Sequence, residues 1–420
     1  MKIYQISEVF VPGGMPDLTY IERAESSIKT SLEKAKKNLC KLVTLTGQTK
    51  AGKTVLTQRV YPELDDENIW INGGSIEAEE DIWLQVIDAL DGWTEEEQTH
   101  SSGTTNKIAG KATGEGSVII AKVDASISAE RGENSSDTQK FSRSMSAKSV
   151  ALKALQKTKA NLIIDDFHYL SRDLQGKFVR AVKPVVFHGV PVILIAIPHR
   201  RYDAVKVERE ITGRILNVEM PYWQTAELEE IPRLGFPLLN VRLADTVPTS
   251  LAAEAMGSPH LMQEFCVKLC EQLNIEQTQS SEIYIPSYDN SLFRNVGEAT
   301  GKLIFDKLST GPRQRSDRIQ RTLTSGEQVD IYRVVLLALA RLKPGMQTVS
   351  YEELRTAIRD ILSDSIPQAH EVTRVLEKMS EIAASDEAST PVIDWEKDEQ
   401  KLHITDPFFA FYLKWGAPEV

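Results

Sequence analysis

The sequence is short of cysteine, of long apolar runs and of positive charge, and each shortage removes a class of protein. Its three cysteines, Cys40, Cys266 and Cys270, are an odd number with neither zinc-type spacing nor clustered histidines. A disulfide scaffold and a cysteine metal module are therefore excluded, and the thiols read as small buried apolar residues of a reducing compartment. The most apolar stretch, residues 190–198, is about half the length a membrane-spanning helix needs. The opening MKIYQISEVFVPGG has no signal-peptide apolar region, so we expect a cytoplasmic protein with no membrane partner. Lys+Arg total 49 against 60 Asp+Glu, a net charge of -11, so no global positive field draws the chain to nucleic acid or anionic lipid. What is present is ordinary for a folded globular chain: 41% hydrophobic and 26% charged residues, which excludes collagen-like and disordered classes. A chain of 420 residues is long enough for about two or three domains.

Hydrophobic periodicity organises the first half. Residues 27–39 have helical spacing, and KLVTLTG (41–47) is a β-branched run ending in glycine. Further strands are expected at 68–73, 161–165 and 190–197, with a helix after Gly52 and an amphipathic helix over 79–90. Continuous apolar strands alternating with helices predict an α/β fold with a parallel sheet covered on both faces. Residues 99–145 interrupt this order with Ser, Thr, Gly and charge and read as an insertion. Within it, 117–133 reads either as an exposed β-hairpin or as disorder. Residues 224–275 predict a small helical domain and 276–330 a connector holding a helix at 291–308. Over 331–420, three amphipathic helices precede PVIDWEKDEQKLHIT, two short strands around a charged turn, the order of a winged helix. The expected domains are thus 1–223, 224–275, 276–330 and 331–420.

Two motifs carry chemistry. Gly47-Gln-Thr-Lys-Ala-Gly52-Lys53-Thr54 matches G-x-x-x-x-G-K-[ST] after an apolar strand and before a helix-compatible run. Its glycines let backbone amides face phosphate oxygens, Lys53 reaches the β and γ phosphates, and Thr54 coordinates Mg²⁺. Thr49, Lys50, Ala51 and Val55 complete the candidate ATP-binding loop. The second motif, LIIDDF, ends a strand on two acids: Asp165 to hold Mg²⁺ and Asp166 to polarise the attacking water.

With these motifs, residues 9–273 resemble the P-loop NTPases of the AAA+/STAND type. The resemblance implies ATP and Mg²⁺ as cofactors, an α-helical lid and slow, assembly-dependent ATP hydrolysis. It implies that Tyr20, Ile21 and Arg23 lie over the adenine. It also implies that one of His199, Arg200 and Arg201, after the strand ending IAI, senses phosphate, Arg200 being the candidate for cofactor binding. Arg214, just before ILNVE, is either an arginine finger or a surface salt-bridge residue. Gly257-Ser-Pro259 is similar to the GxP motif of STAND proteins, in which the proline approaches the nucleotide. If His260 is a second sensor, it departs from the arginine common in AAA+ proteins, and His168 follows the acid pair.

Three functions stay open under this resemblance. The first is a switch coupling nucleotide state to self-assembly as a homo-oligomer or to an effector protein, with bacterial anti-phage defence as one setting. The second is a nucleic-acid-binding initiator, loader or transposition regulator. The third is a nucleotide-binding scaffold without turnover. Charge favours the first, because residues 331–420 hold 10 Lys+Arg against 15 Asp+Glu and phosphate contacts dominate DNA affinity. The basic residues that could serve DNA, Lys302, Lys307, Arg313, Arg315, Arg318 and Arg321, fall mainly in the connector.

Overall fold

Strands made only of aliphatic and β-branched residues offer no polar face to water and belong inside a sheet covered on both sides. The computed structural model describes residues 2–23, 28–37, 40–90, 95–98, 141–144, 146–197, 213–312, 319–384 and 391–418. In chain order its elements are α1 (Ile6–Val9), α2 (Ile28–Lys36), β1 (Leu42–Thr46), α3 (Lys53–Val60), β2 (Asn68–Asn72), α4 (Glu79–Ala89), β3 (Glu95–Gln98), β4 (Phe141–Ser144), α5 (Ala147–Thr158), β5 (Asn161–Asp165), α6 (Arg172–Phe187), β6 (Val192–Ala196) and β7 (Ile215–Glu219). There follow α7 (Thr225–Leu238), β8 (Val241–Leu243), α8 (Thr246–Glu254), α9 (Pro259–Gln272), β9 (Ile283–Ile285), α10 (Ser291–Thr310), β10 (Gln320–Thr322), β11 (Gln328–Asp330), α11 (Ile331–Leu342), β12 (Val349–Ser350), α12 (Tyr351–Ile361), α13 (Ala369–Ala384), β13 (Ile393–Glu396), β14 (Lys401–Ile404) and α14 (Pro407–Trp415). These elements form two compact units: Ser27–Thr46 with Leu56–Glu219, and Met1–Ser26 with Gly47–Val55 and Met220–Val420.

The first unit is built on a five-stranded sheet of order β2-β5-β6-β1-β7, parallel at every pairing. The chain jumps from β1 to the far edge at β2 and works back, then finishes beside β1 at β7. Open α/β sheets place ligands outside the carboxyl ends of strands at such a reversal. One face carries Ile69, Ile71, Leu162, Ile164, Val192 and Leu194, packed against α4, α5 and α6 through Trp83, Val86, Leu155, Phe178 and Val182. Trp83 stacks on Phe178 with ring centroids 5.8 Å apart. The alternate residues Val43, Leu45, Ile163 and Ile193 are also buried, so both faces are covered, as the unbroken apolar runs require. The insertion is closed at its base by β3 pairing with β4, Glu95 opposite Ser144. The expected hairpin at 117–133 lies outside the described residues.

The second unit has two cores that share two helices. The lid helices α7, α8 and α9 pack with Val9 and Phe10. The other core joins α11, α12 and α13 to a small sheet of order β12-β14-β13. Helix, strand, helix, helix, strand, strand is the winged-helix order, with the two-residue β12 added to the hairpin the sequence indicates. Helix α14 lies between the cores: Phe408 and Phe411 enter the first, Phe409, Tyr412 and Leu413 the second. Helix α10 does the same, and its Gly301 permits the approach, since a Cβ there would stand 2.3 Å from Tyr412 Cβ. Cys266 and Cys270 are buried in α9, where burial pushes the Cys270 thiol up to about 12. Cys40 departs from the expectation for all three thiols: it is exposed, at φ 49 in the turn ahead of β1.

Candidate nucleotide site

Strand β1 ends at Thr46, the chain turns through Gly47–Gly52, and α3 begins at Lys53. Strand, glycine loop and helix in that order are the context in which G-x-x-x-x-G-K-T cradles phosphate. The two glycines are required for different reasons. A Cβ at Gly47 would stand 2.8 Å from Met220 Cβ, whereas Gly52 has open space but a φ of +88 that disfavours any side chain. Lys53 Nζ donates to the carbonyls of Gly47 at 3.0 Å and Gln48 at 2.9 Å, curling over its own loop. Thr54 and Val55 lie in the first turn of α3, whose amide N–H groups favour an anion. Thr49 and Lys50 form the turn, with Lys50 in the left-handed region at φ 58.

Residues far away in sequence hold this loop from outside. Trp223 Nε1 donates to the Ala51 carbonyl at 2.9 Å. Ser258 Oγ caps α9 at Leu261 N and donates to the Lys50 carbonyl at 3.4 Å, with Pro259 opening the helix. Lys50 Nζ pairs with Asp406 Oδ2 at 2.7 Å. Arg23 stacks on Trp223 at 4.7 Å, grips Glu227 through Nε at 2.8 Å and Nη2 at 3.0 Å, and donates to the carbonyls of Pro221 and Tyr222. The structure thus makes Arg23 a brace behind Trp223. Tyr20 is half-buried, and Ile21 packs on the lid core. The His260 ring meets Phe408 edge-on at 4.8 Å, and a Cβ at Gly13 would stand 3.1 Å from it.

Within the sheet unit, the acid pair is set by backbone geometry. Leu162 is in register with Val192, and Val192 with Leu42, so Asp165 reaches the same carboxyl edge at which β1 runs into Gly47. Asp166 sits in the left-handed region at φ 52, ψ 37, and its N–H donates to Asp165 Oδ1 at 2.8 Å. Gly73 makes room for this turn, because a Cβ there would lie 2.4 Å from the Asp166 carbonyl oxygen. Gly73→Ala should therefore cost about 1–3 kcal/mol through overpacking and displace the acid pair. A lower thermal midpoint accompanied by reduced ATP turnover is the expected result; an unchanged midpoint would refute the contact. Arg214 stands just before β7, its guanidinium 4.9 Å from the Phe187 ring centroid. His168 is buried, with its ring 4.3 Å from Tyr169. Arg200, His199 and Arg201 lie outside the described residues.

The structure therefore brings Arg23, Gly47–Val55 and Pro259 together in one unit, and Asp165, Asp166 and Arg214 into the other. Trp223, Asp406 and Gly73 are absent from the sequence-derived set. The D-P pair ahead of an apolar run signals a helix start at Asp406, but nothing local points to Lys50, 356 residues away. Thr54 in one unit carries a hydroxyl oxygen and Asp165 in the other a carboxylate, the hard oxygen donors that Mg²⁺ takes, and Mg²⁺ keeps several waters beside one or two protein ligands rather than sitting in an all-protein cage. Among the described residues no group of three or more His, Cys, Asp or Glu forms such a cage.

No protein-family model matches the chain, and no curated protein does. Its fold is similar to several solved structures. Cdc6p of Pyrobaculum aerophilum matches at 12% identity and a TM-score of 0.43, over 97% of this chain and 96% of that one. Orc1 of Aeropyrum pernix, solved in complex with DNA, matches at 12% and 0.44, over 98% and 96%. A signal transduction ATPase with numerous domains from Pyrococcus horikoshii, with a tetratricopeptide repeat sensor, matches at 15% and 0.34, over 94% of this chain and 44% of that one. A parallel sheet whose inner strand enters a glycine-lysine loop and a helix is the strand–loop–helix setting of a P-loop.

Proposed function

We propose that the chain is an ATP-binding and ATP-hydrolysing switch that couples nucleotide state to self-assembly or to binding of a partner protein. One observation carries this reading: the phosphate loop is tied to the lid through Trp223 and Ser258 and to the winged helix through Asp406. A ligand that reshapes the loop must work against both attachments. Lys53 would neutralise phosphate charge, Thr54 and Asp165 would hold Mg²⁺, and Asp166 would orient and polarise water. Mg²⁺-ATP supplies the transferable phosphoryl group and a neutralising cation. Arg214 is the candidate for stabilising charge on the γ-phosphate.

The winged-helix surface supports a protein partner over duplex DNA. Helix α13, which would be the reading head, carries Glu377 and Glu381, side chains 37% and 63% exposed and paired to Lys397 and Lys378. A helix whose three glutamates outnumber its two cations, Arg374 and Lys378, is a poor phosphate binder. Among the described residues no helix is long and apolar enough to cross a membrane. Light scattering on the purified protein, with and without Mg²⁺-ATP and with duplex DNA, tests the proposal. An increase to at least twice the monomer mass with Mg²⁺-ATP alone is expected. An increase that requires DNA would replace it with the loader reading.

A further inference from the structure

The Asp406 carboxylate is fixed from behind and engaged in front. Its Oδ1 accepts the Phe409 N–H at 2.9 Å, capping α14, and α14 is anchored in both cores of its unit. Its Oδ2 takes the Lys50 ammonium at 2.7 Å, the two side chains being 7% and 26% exposed. The ammonium also lies 3.6 Å from the Phe408 ring centroid, a partly desolvated seat in which charge pairing is strengthened. Lys50 belongs to the phosphate loop itself. Beside it, Gln48 is 9% exposed, and both its side-chain polar atoms are buried with no hydrogen-bond partner among the described residues. A buried amide without a partner is costly, which marks this loop conformation as one that a ligand can improve.

We infer that Asp406 competes with nucleotide phosphate for Lys50, so that the winged helix is a built-in antagonist of the nucleotide loop and is itself loosened by what binds there. The inference rests on the nucleotide-switch reading above. An anion arriving at the loop attracts Lys50 and repels Asp406, and so weakens the pair from both ends. Once Lys50 turns to phosphate, Asp406 remains as a buried carboxylate with a single backbone donor, and a buried charge that has lost its partner is strongly destabilising. Exposing the start of α14 relieves it. By linkage the coupling is reciprocal: a partner that draws α14 away raises nucleotide affinity by the factor by which nucleotide loosens α14.

Asp406→Asn separates the charge from the cap, since Asn caps helices as well as Asp does. Calorimetric titration of the full chain with Mg²⁺-ATP should show binding tightened by about tenfold, the gain expected when a restraint on the competent state is removed. Loss of structure would weaken binding, so the direction of the change identifies the mechanism. A second measurement needs no nucleotide. Lys50→Asn, acceptable at a left-handed position, Asp406→Asn and the double variant are melted side by side. The double variant should lose less than the sum of the single losses, because both break one pair. Additive losses, or unchanged or weaker ATP binding by Asp406→Asn while the unmodified protein binds through Lys53, overturn this inference alone. Equal absence of binding in the unmodified protein and Lys53→Ala overturns the nucleotide reading and this inference with it.

Discussion

Replacing Lys53 by alanine is expected to weaken ATP binding on the order of 100-fold, the loss that follows from removing one partner of a desolvated charge contact. In the structure the ammonium donates to the Gly47 and Gln48 carbonyls, which holds the cation on the loop proposed to bind phosphate. Alanine removes the charge and also the internal tie between α3 and the loop. Lys53→Gln distinguishes the two effects, since its amide still offers donors to the carbonyls but carries no charge. Calorimetry should find both variants weak binders, with Lys53→Gln the nearer to the unmodified protein in thermal midpoint. Normal affinity in Lys53→Ala would show that the loop does not hold phosphate.

The parts of this architecture that can be read from sequence are those whose cause is local. Strands β1, β5 and β6 are legible because burial on both faces leaves unbroken apolar runs, and the loop is legible because glycine is needed at two fixed offsets. Helix α6 is obscured. Gln175 lies on its buried side, where its amide donates to the carbonyls of Phe167 and Leu170 behind the acid pair, and Pro184 sits within its last turn. Strands β8, β9 and β12 are two or three residues long, too short to express a period. The winged helix is legible as amphipathic helices and a hairpin, yet its attachment to the loop is not. The Lys50–Asp406 pair, like Arg23 reaching Glu227, joins residues hundreds of positions apart, and no pattern along the chain encodes such a meeting.

Asp166→Asn should leave ATP bound and lower its turnover by about 10²- to 10³-fold, the range expected for losing a group that accepts or directs a proton. The substitution is well matched to its site. Asp166 occupies the left-handed region, which asparagine adopts as readily as aspartate, so the turn after β5 and the contact with Gly73 are retained. Its N–H still donates to Asp165, so the candidate Mg²⁺ ligand keeps its orientation. What changes is the carboxylate charge, and an amide cannot take a proton from water. Titration should therefore give an affinity within about twofold of the unmodified protein, while phosphate release under saturating ATP falls. Undiminished release would assign the base to another group, with His168, buried two residues further on, the first to replace. If the unmodified protein retains ATP without releasing phosphate even in assembled material, the acid pair positions a ligand without turnover, and the chain works as a nucleotide-gated scaffold in which Asp406 and Lys50 still report occupancy of the loop.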